Sequence, residues 1–188
     1  RPTLLISLMG MIKDTRKAMT SDFKASGDVI YVLGNTTGDM GGSTFEKVSG
    51  TFLGSSPKVD SKSAFRMYGQ LAKAIEQGLV ESCHDMSDGG LAVCAAECAM
   101  GGMCGFDINI AALPGVDAVD DTRVLFAETP SRFVISVKKE KAAEFEAALA
   151  GAPLKKVGVT TQDEKLVFKR GENESSSKEV YSYFVDAV

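Results

Sequence analysis

The stretch Cys83-His84-Asp85-Met86-Ser87-Asp88-Gly89-Gly90-Leu91 decides how this chain folds, because the periodicity of the sequence changes within it. An apolar pair at residues 79–80 precedes it, and an alanine-rich apolar run at residues 91–100 follows it. This change predicts a strand that ends at Asp85 and a helix that begins near Gly89. Ligands of sheet proteins often bind beyond strand ends, so this turn is a first candidate for a functional site.

The turn carries the features of a helix start. Ser87 or Asp88 is expected to be the N-cap, since its side-chain oxygen can accept hydrogen bonds from free backbone amides. Gly89 and Gly90 allow a tight turn and the close approach of a neighbour. The free N–H groups and the positive helix end favour an anion, although the Asp88 carboxylate would repel phosphate. The alternative interpretation is a helix cap without a ligand.

Apolar patterns predict the other elements outward from this turn. Strands are expected at residues 4–12, 28–34, 79–84, 105–110, 133–137, 157–160 and 165–169, and helices at 60–77, 91–100, 122–126 and 138–150. The run at 28–34 lacks polar alternation, which predicts a central strand that is buried on both faces. The last two strands are predicted to be edge strands joined by the polar residues 162–164, and the polar stretch 171–178 is expected to be mobile. We expect an α+β fold, with a mixed sheet flanked by helices on both faces in three layers.

Length and composition bound the function. A chain of 188 residues that is 44% hydrophobic can form one sizeable core, which predicts a single domain over residues 1–188. A net charge of −4 and a pI near 5.1 argue against a surface for nucleic acid or anionic membrane. No apolar run approaches the roughly 20 residues that span a bilayer. Because the chain starts at Arg1 and runs straight into a predicted strand, it is expected to be a piece of a longer polypeptide.

The cysteines and the only histidine suggest packing rather than chemistry. Cys94 and Cys98 lie four residues apart on one apolar helix face, and no C-x-x-C pair is present, so small buried thiols in a reducing cytoplasm are favoured over a zinc site. His84 lies too close in sequence to Ser87 and to the neighbouring aspartate for a nucleophilic triad. We therefore assign no catalytic residue and no metal ligand.

Three polar turns stand out as candidates for one binding site. Each lies next to the end of a predicted strand or helix, and together they offer backbone N–H groups, hydroxyls, carboxylates and one guanidinium. If they meet at one edge, they would suit a phosphorylated, hydroxyl-rich ligand, with Arg132 as the phosphate clamp. For the first turn the alternative is a flexible surface loop. The candidate substrate- or anion-binding residues are Gly41, Gly42, Ser43, Ser87, Asp88, Gly89, Gly90, Glu128, Ser131 and Arg132.

Several separate motifs resemble one known family. The stretch from residue 83 to 93, its alanine-rich helix and the following Gly105-Phe106-Asp107-Ile108 resemble the C-terminal domain of the AIR synthase superfamily. Within this superfamily the chain is most similar to the last domain of the phosphoribosylformylglycinamidine synthase family. The similar segments are residues 22–24, 27–34, 41–43, 57–60, 83–93, 105–108 and 125–133.

The resemblance implies part of an ATP-dependent ligase of purine biosynthesis. Members of that family use ATP, Mg²⁺ and glutamine-derived ammonia to convert formylglycinamide ribonucleotide into its amidine, through a phosphorylated amide oxygen. ATP and Mg²⁺ would be bound chiefly by an ATP-binding-type domain that is absent here. The implied partners are this preceding domain of the same chain, a glutaminase domain or subunit, and the ribonucleotide substrate, in the cytoplasm.

The chain departs from the family pattern in two places. It has Thr129-Pro130 where the substrate-binding copy of the domain resembles Ser-Gln, and Asp88 where a neutral residue is usual. The domain is therefore predicted to be mainly architectural, inactive in isolation, with at most a secondary anion or substrate site. The alternatives are the C-terminal domain of aminoimidazole ribonucleotide synthetase or selenophosphate synthetase, or a non-enzymatic ligand-binding module. The segments at residues 22–24 and 128–133 argue against the two synthetases.

Overall fold

A seven-stranded mixed sheet forms the middle layer of the fold. A computed structural model describes residues 5–163, 165–171 and, as backbone, 178–184. In the described residues the strands are β1 (Val29–Leu33), β2 (Ser82–Asp85), β3 (Gly105–Asn109), β4 (Phe133–Val137), β5 (Leu154–Thr161), β6 (Lys165–Arg170) and β7 (Lys178–Phe184). Their order across the sheet is β2-β4-β1-β5-β3-β6-β7. All neighbours are antiparallel except β3 and β6, which are parallel.

Helices cover both faces of this sheet, which confirms the predicted three-layer α+β fold. They are α1 (Thr44–Ser49), α2 (Ser61–Glu76), α3 (Gly90–Gly102), α4 (Asp121–Phe126) and α5 (Ala142–Ala148), with 3-10 turns at Thr15–Lys17, Ile110–Ala112 and Lys139–Lys141. Apolar residues of α3 and α4 pack in one core cluster, and those of α2 and α5 pack in a second. No helix in the described parts of the chain is long and apolar enough to cross a membrane.

Strand β1 is buried on both faces, as its unbroken apolar run predicted. Ile30 and Val32 belong to the cluster of α3 and α4, whereas Val29, Tyr31 and Leu33 belong to the cluster of α2 and α5. Because neighbouring residues of a strand point to opposite faces, such a run fits only between two apolar layers. β1 therefore ties the two cores together.

The predicted helix at 60–77 is confirmed in detail. Asp60 is its N-cap and accepts hydrogen bonds from the backbone N–H groups of Lys62 and Ser63. Gly78, just beyond the C-cap, has a φ of +71°, as expected for a glycine that stops a helix. The helix predicted at 138–150 is shorter, since its first turn is the 3-10 turn and α5 follows.

The prediction that the last two strands lie at the edges of the sheet is wrong, although β5 ends at residue 161 and β6 begins at residue 165, on either side of the predicted connection. β5 lies between β1 and β3, and β6 lies between β3 and β7. Asp107 of β3 pairs with Val159 on one side and Val167 on the other. The alternation of polar and apolar residues along a strand shows whether one face of the sheet is exposed to solvent. It does not show whether the strand lies at an edge, because that depends on which backbones pair. Glu164 of the predicted turn and residues 172–177 of the stretch predicted to be mobile lie outside the described residues.

The strand predicted at 4–12 is also absent. Residues 5–12 form no pairing with any described strand, and their apolar side chains are exposed, with Leu8 at 91% and Met9 at 101%. A strand needs a partner for its backbone groups, and high β-propensity does not supply one. Residue 4 lies outside the described residues.

Candidate functional site

The carboxylate of Glu128 joins the three predicted turns. Its Oε1 accepts a hydrogen bond from the backbone N–H of Thr44, at the start of α1, and another from the backbone N–H of Gly89, at the start of α3; both are 2.8 Å long. The backbone N–H of Glu128 donates to the carbonyl of Asp39 at 3.2 Å. The turns at residues 41–43, 87–90 and 128–132 thus meet, and one acidic side chain holds the first two to the third.

Glu128 also explains why the expected N-cap of α3 is wrong. The N-cap residue is Gly89, at a φ of +79°, and it makes no side-chain cap. The Ser87 hydroxyl donates instead to Asp85 Oδ2 at 2.9 Å. A free amide at a helix start needs an acceptor, and the distant Glu128 supplies it in place of a local side chain. Sequence spacing within the turn carries no signal for this long-range cap.

Gly90 allows the Glu128 turn to pack directly on the start of α3. It has a φ of +67°, and a Cβ atom placed on it would lie 2.6 Å from the carbonyl oxygen of Ala127. That distance is below any van der Waals contact, so only glycine fits here without movement. The expected close approach of a neighbour at this glycine is therefore observed.

The first turn is packed rather than a loose surface loop. Ser43 is buried and caps α1, since its Oγ accepts from the N–H of Glu46 at 3.1 Å and donates to the carbonyl of Met40 at 2.6 Å. A Cβ on Gly41 would lie 2.2 Å from the carbonyl oxygen of Ser55. The flexible-loop alternative does not describe this segment.

Arg132 is buried and does not present its guanidinium as a phosphate clamp. Its side chain donates to the carbonyl of Thr129 at 3.0 Å, to Thr36 Oγ1 at 3.0 Å and to the carbonyl of Ala127, and only 1% of the residue is exposed. Burial lowers the pKa of this guanidinium to about 10, which leaves it charged at neutral pH. The sequence could not show that the turn folds its own carbonyls around the arginine.

A cavity of about 330 Å³ opens beside the joined turns. Its lining residues are Tyr68, Asp85, Met86, Ser87, Asp88, Glu128, Pro130, Ser131, Arg132 and Phe133. Ser131 adopts a φ of +64°, and the hydroxyl of Tyr68 donates to its Oγ at 2.8 Å. The spacing of Tyr68 on α2 gives no sign that its side chain reaches this cavity. Gly42 and Ser43 line a separate depression of about 440 Å³.

The lining of this cavity is negatively charged. The carboxylates of Asp85, Asp88 and Glu128 line it, and the hydrogen bond from Ser87 lowers the pKa of Asp85, so this carboxyl stays ionised at neutral pH. The single cation of the lining, Arg132, is bonded internally. An unaccompanied phosphate would meet repulsion here.

No metal-binding group is found among residues 5–163 and 165–171, and the three cavity carboxylates do not form one. The four cysteines are free thiols. Cys94 and Cys98 are buried, and burial raises the pKa of Cys83 to about 12. His84 Nε2 lies 2.9 Å from Glu97 Oε2. The burial of Cys94 and Cys98 agrees with the packing role that the sequence favoured for these thiols, whereas His84 makes an exposed hydrogen bond.

Known structures share this fold. Phosphoribosylformylglycinamidine synthase II from Thermotoga maritima superposes with a TM-score of 0.69 at 17% identity, over 88% of this chain and 26% of that chain. T. maritima PurL complexed with FGAR gives a TM-score of 0.71 at 17% identity, over 89% and 28%. The hydrogenase maturation protein HypE in complex with ATP gives 0.62 at 18% identity, over 89% and 54%. The chain thus spans about a quarter of the T. maritima proteins and about half of HypE.

The sequence itself matches a family model. The model for the C-terminal domain of AIR synthase related proteins covers residues 25–170, which include every strand of the sheet from β1 to β6 and the three joined turns. This chain therefore belongs to the family of AIR synthase related C-terminal domains.

Proposed function

We propose that this chain is the C-terminal domain of a phosphoribosylformylglycinamidine synthase and that its role there is mainly architectural. Its parent would catalyse the ATP-dependent amidation of formylglycinamide ribonucleotide. The motifs at residues 22–24 and 128–133 support this member of the superfamily, and the likeness to the T. maritima synthase is compatible with it.

The observation that carries the architectural role is the position of Glu128. The starts of α1 and α3 are the natural anion-binding elements of the three turns, and the chain's own carboxylate already accepts from both of them. Arg132, the cation that a phosphate would need, is directed into the turn. The groups that would recognise a phosphate are thus satisfied internally.

In this proposal the nucleotide chemistry takes place in the other parts of the enzyme. ATP and Mg²⁺ would bind chiefly to the ATP-binding-type domain that precedes this one, and a cytoplasmic glutaminase domain or subunit would supply ammonia. This domain would support its neighbour and the pseudo-symmetric pairing of the two halves. At most, the acidic cavity would take a hydroxyl-rich part of a ligand or a ligand that arrives with its own cation.

The first test is made with the full-length gene product. It should convert formylglycinamide ribonucleotide into the amidine with ATP, Mg²⁺ and glutamine or ammonia, and the reaction should stop without ATP. Calorimetric titration of the 188-residue chain with the ribonucleotide, and separately with Mg·ADP, should give no binding heat. Binding that weakens in Ser131→Ala would make the cavity a ligand site and overturn the architectural role.

A second candidate is another member of the superfamily. The fold is also shared with HypE, of which the chain covers a larger fraction, 54%. A full-length product that hydrolyses ATP but leaves formylglycinamide ribonucleotide unchanged would favour this candidate. A product with neither activity would favour a non-enzymatic ligand-binding module.

A further inference from the structure

The most unusual surface of the molecule is the apolar N-terminal arm, defined here as residues 5–12. Six of its eight side chains are large and apolar, and their exposed fractions run from 63% for Ile12 to 101% for Met9. The arm has no charged residue, and it makes no strand pairing with the described sheet. A contiguous run of exposed apolar side chains is the signature of a surface that another polypeptide covers.

The arm leaves the domain from a fixed root. Asp14 caps the 3-10 turn that follows the arm, and Lys17 Nζ donates to the carbonyl of Glu76 at 2.9 Å. The carbonyl of Thr20 accepts from the N–H of Cys83 at 3.2 Å, and Phe23 is 1% exposed. From Lys17 onward the chain is therefore hydrogen-bonded to the rest of the domain.

The composition of the arm identifies the kind of surface that covers it. In an extended chain, Leu5, Met9 and Met11 point to one side, and Ile6, Leu8 and Ile12 point to the other. Both sides are apolar, which is typical of a strand inside a sheet that is covered on both faces. In a strand at an open edge, or in a sheet with one solvent-exposed face, apolar residues would alternate with polar ones.

The segment that follows the arm already occupies part of one edge of the domain's own sheet. The outer strand at this edge is β2, and the N–H of Cys83 on it bonds to the carbonyl of Thr20. The match to the family model begins only at residue 25, so the arm lies outside the matched region. The T. maritima proteins with this fold are longer, since the chain covers only 26–28% of them.

We propose that the apolar arm is a strand of the neighbouring domain's sheet, inserted between two apolar layers of the part of the polypeptide that precedes this domain. The inference rests on the proposed function for the existence of that domain. The arm would add backbone hydrogen bonds on its strand edges and bury its six large side chains, and so fix the two domains to each other. The link between them would then be a shared sheet and not a flexible tether.

Hydrogen–deuterium exchange tests this directly, in the full-length gene product and in the 188-residue chain. The amides of residues 5–12 should exchange about a hundredfold or more slowly in the full-length protein than in the short chain, where they have no partner. Leu8→Asp in the full-length protein should remove this protection. Lys13→Asp, which places the same side chain just outside the arm, should preserve it.

Three results would overturn the proposal. The first is equally fast exchange of the arm in both proteins. The second is protection of the arm in the short chain together with a dimeric mass, which would make a second copy the partner. The third is a full-length product no longer than this chain. The exchange result is independent of catalysis. A protein that amidates formylglycinamide ribonucleotide but has an unprotected arm would disprove only this inference, and an inactive protein with a protected arm would disprove only the proposed function.

Discussion

A single carboxylate bonds to the starts of two helices at the centre of this domain, in addition to the Ser43 cap of α1 and in place of a local side-chain cap on α3. The first turns of α1 and α3 leave backbone N–H groups without helical partners, and the two helix starts carry partial positive charge. Glu128 lies between them and accepts from one amide of each. An internal anion at this point holds three loops together and occupies one backbone amide of each helix start.

Replacing Glu128 by alanine should therefore destabilise the domain. The change leaves the amides of Thr44 and Gly89 without their acceptor, and we expect a loss of about 1–3 kcal/mol in the free energy of unfolding. Urea unfolding followed by circular dichroism measures it. Glu144→Ala, at an exposed position of α5, is the control and should change stability by less than about 0.5 kcal/mol. Equal effects of the two substitutions would contradict the role of Glu128.

Asp28 should lower the free energy of unfolding of this domain as pH rises. It is 6% exposed, its Oδ2 has no hydrogen-bond partner, and burial, followed by the negative charge of Glu81, raises its pKa above the ordinary value of 3.8. The folded state then holds this proton more tightly than the unfolded state. The stability that the protonated Asp28 contributes is complete below the unfolded pKa and is lost as pH rises through the folded pKa.

The Asp28→Asn variant isolates this effect. Its urea midpoint relative to that of the wild type should rise as pH increases from about 4 to about 7, because only the wild type has to ionise the buried carboxyl. Asp117→Asn, at an exposed position, should show no such trend. A constant difference between wild type and Asp28→Asn over this range would show that the carboxyl titrates normally.

At the scale of elements, β2, the turn and α3 form a unit that depends on its neighbours. The strand ends at Asp85 and the helix begins at Gly90, as the sequence pattern indicated. The backbone between them is fixed by glycines at positive φ and by the turn that carries Glu128. Glycine is required at residue 90 because another segment occupies the space of a side chain.

Two alanine substitutions should therefore have opposite signs. Gly90→Ala places a Cβ 2.6 Å from the Ala127 carbonyl at a positive φ, and we expect it to destabilise the domain by about 2 kcal/mol or more. Gly69→Ala, in the interior of α2 with no atom within 4 Å of the new Cβ, should stabilise it by about 0.5–1 kcal/mol. Thermal and urea unfolding measure both. A neutral Gly90→Ala would mean that the turn moves away easily.

At the scale of the molecule, β5 joins two halves of the sheet. One half, β2-β4-β1, is covered on both faces, and the other, β3-β6-β7, continues beyond β5. The pairing of β1 with β5 shifts its register between Ile30 and Tyr31, and Gly158 lies opposite Ile30 at this irregularity. Glycine is common where strands bulge and backbones approach closely.

Gly158→Ala should weaken the whole domain rather than one edge. The added Cβ would lie 2.1 Å from the carbonyl oxygen of Asp107 on β3, and we expect a loss of about 2–3 kcal/mol. Faster hydrogen exchange should appear in both β1 and β3, the two neighbours of β5. Both substitutions are made in the 188-residue chain, where Gly10→Ala has open space around it and is the matched control. If hydrogen exchange became faster in β3 alone, the two halves of the sheet would be independent, and the joining role of β5 would be refuted.

The local elements and their arrangement in layers follow from the sequence. The unbroken apolar run of β1 required burial on both faces, Asp60 and Gly78 marked the ends of α2, and the pattern at residue 83 placed the strand, turn and helix. Three features depend on the tertiary structure: β3 lies between β5 and β6, Glu128 bonds to the starts of two distant helices, and Arg132 points inward. The physical reason is that side-chain periodicity reports which face of an element is buried, whereas strand order and long-range hydrogen bonds depend on partners that are distant in the chain.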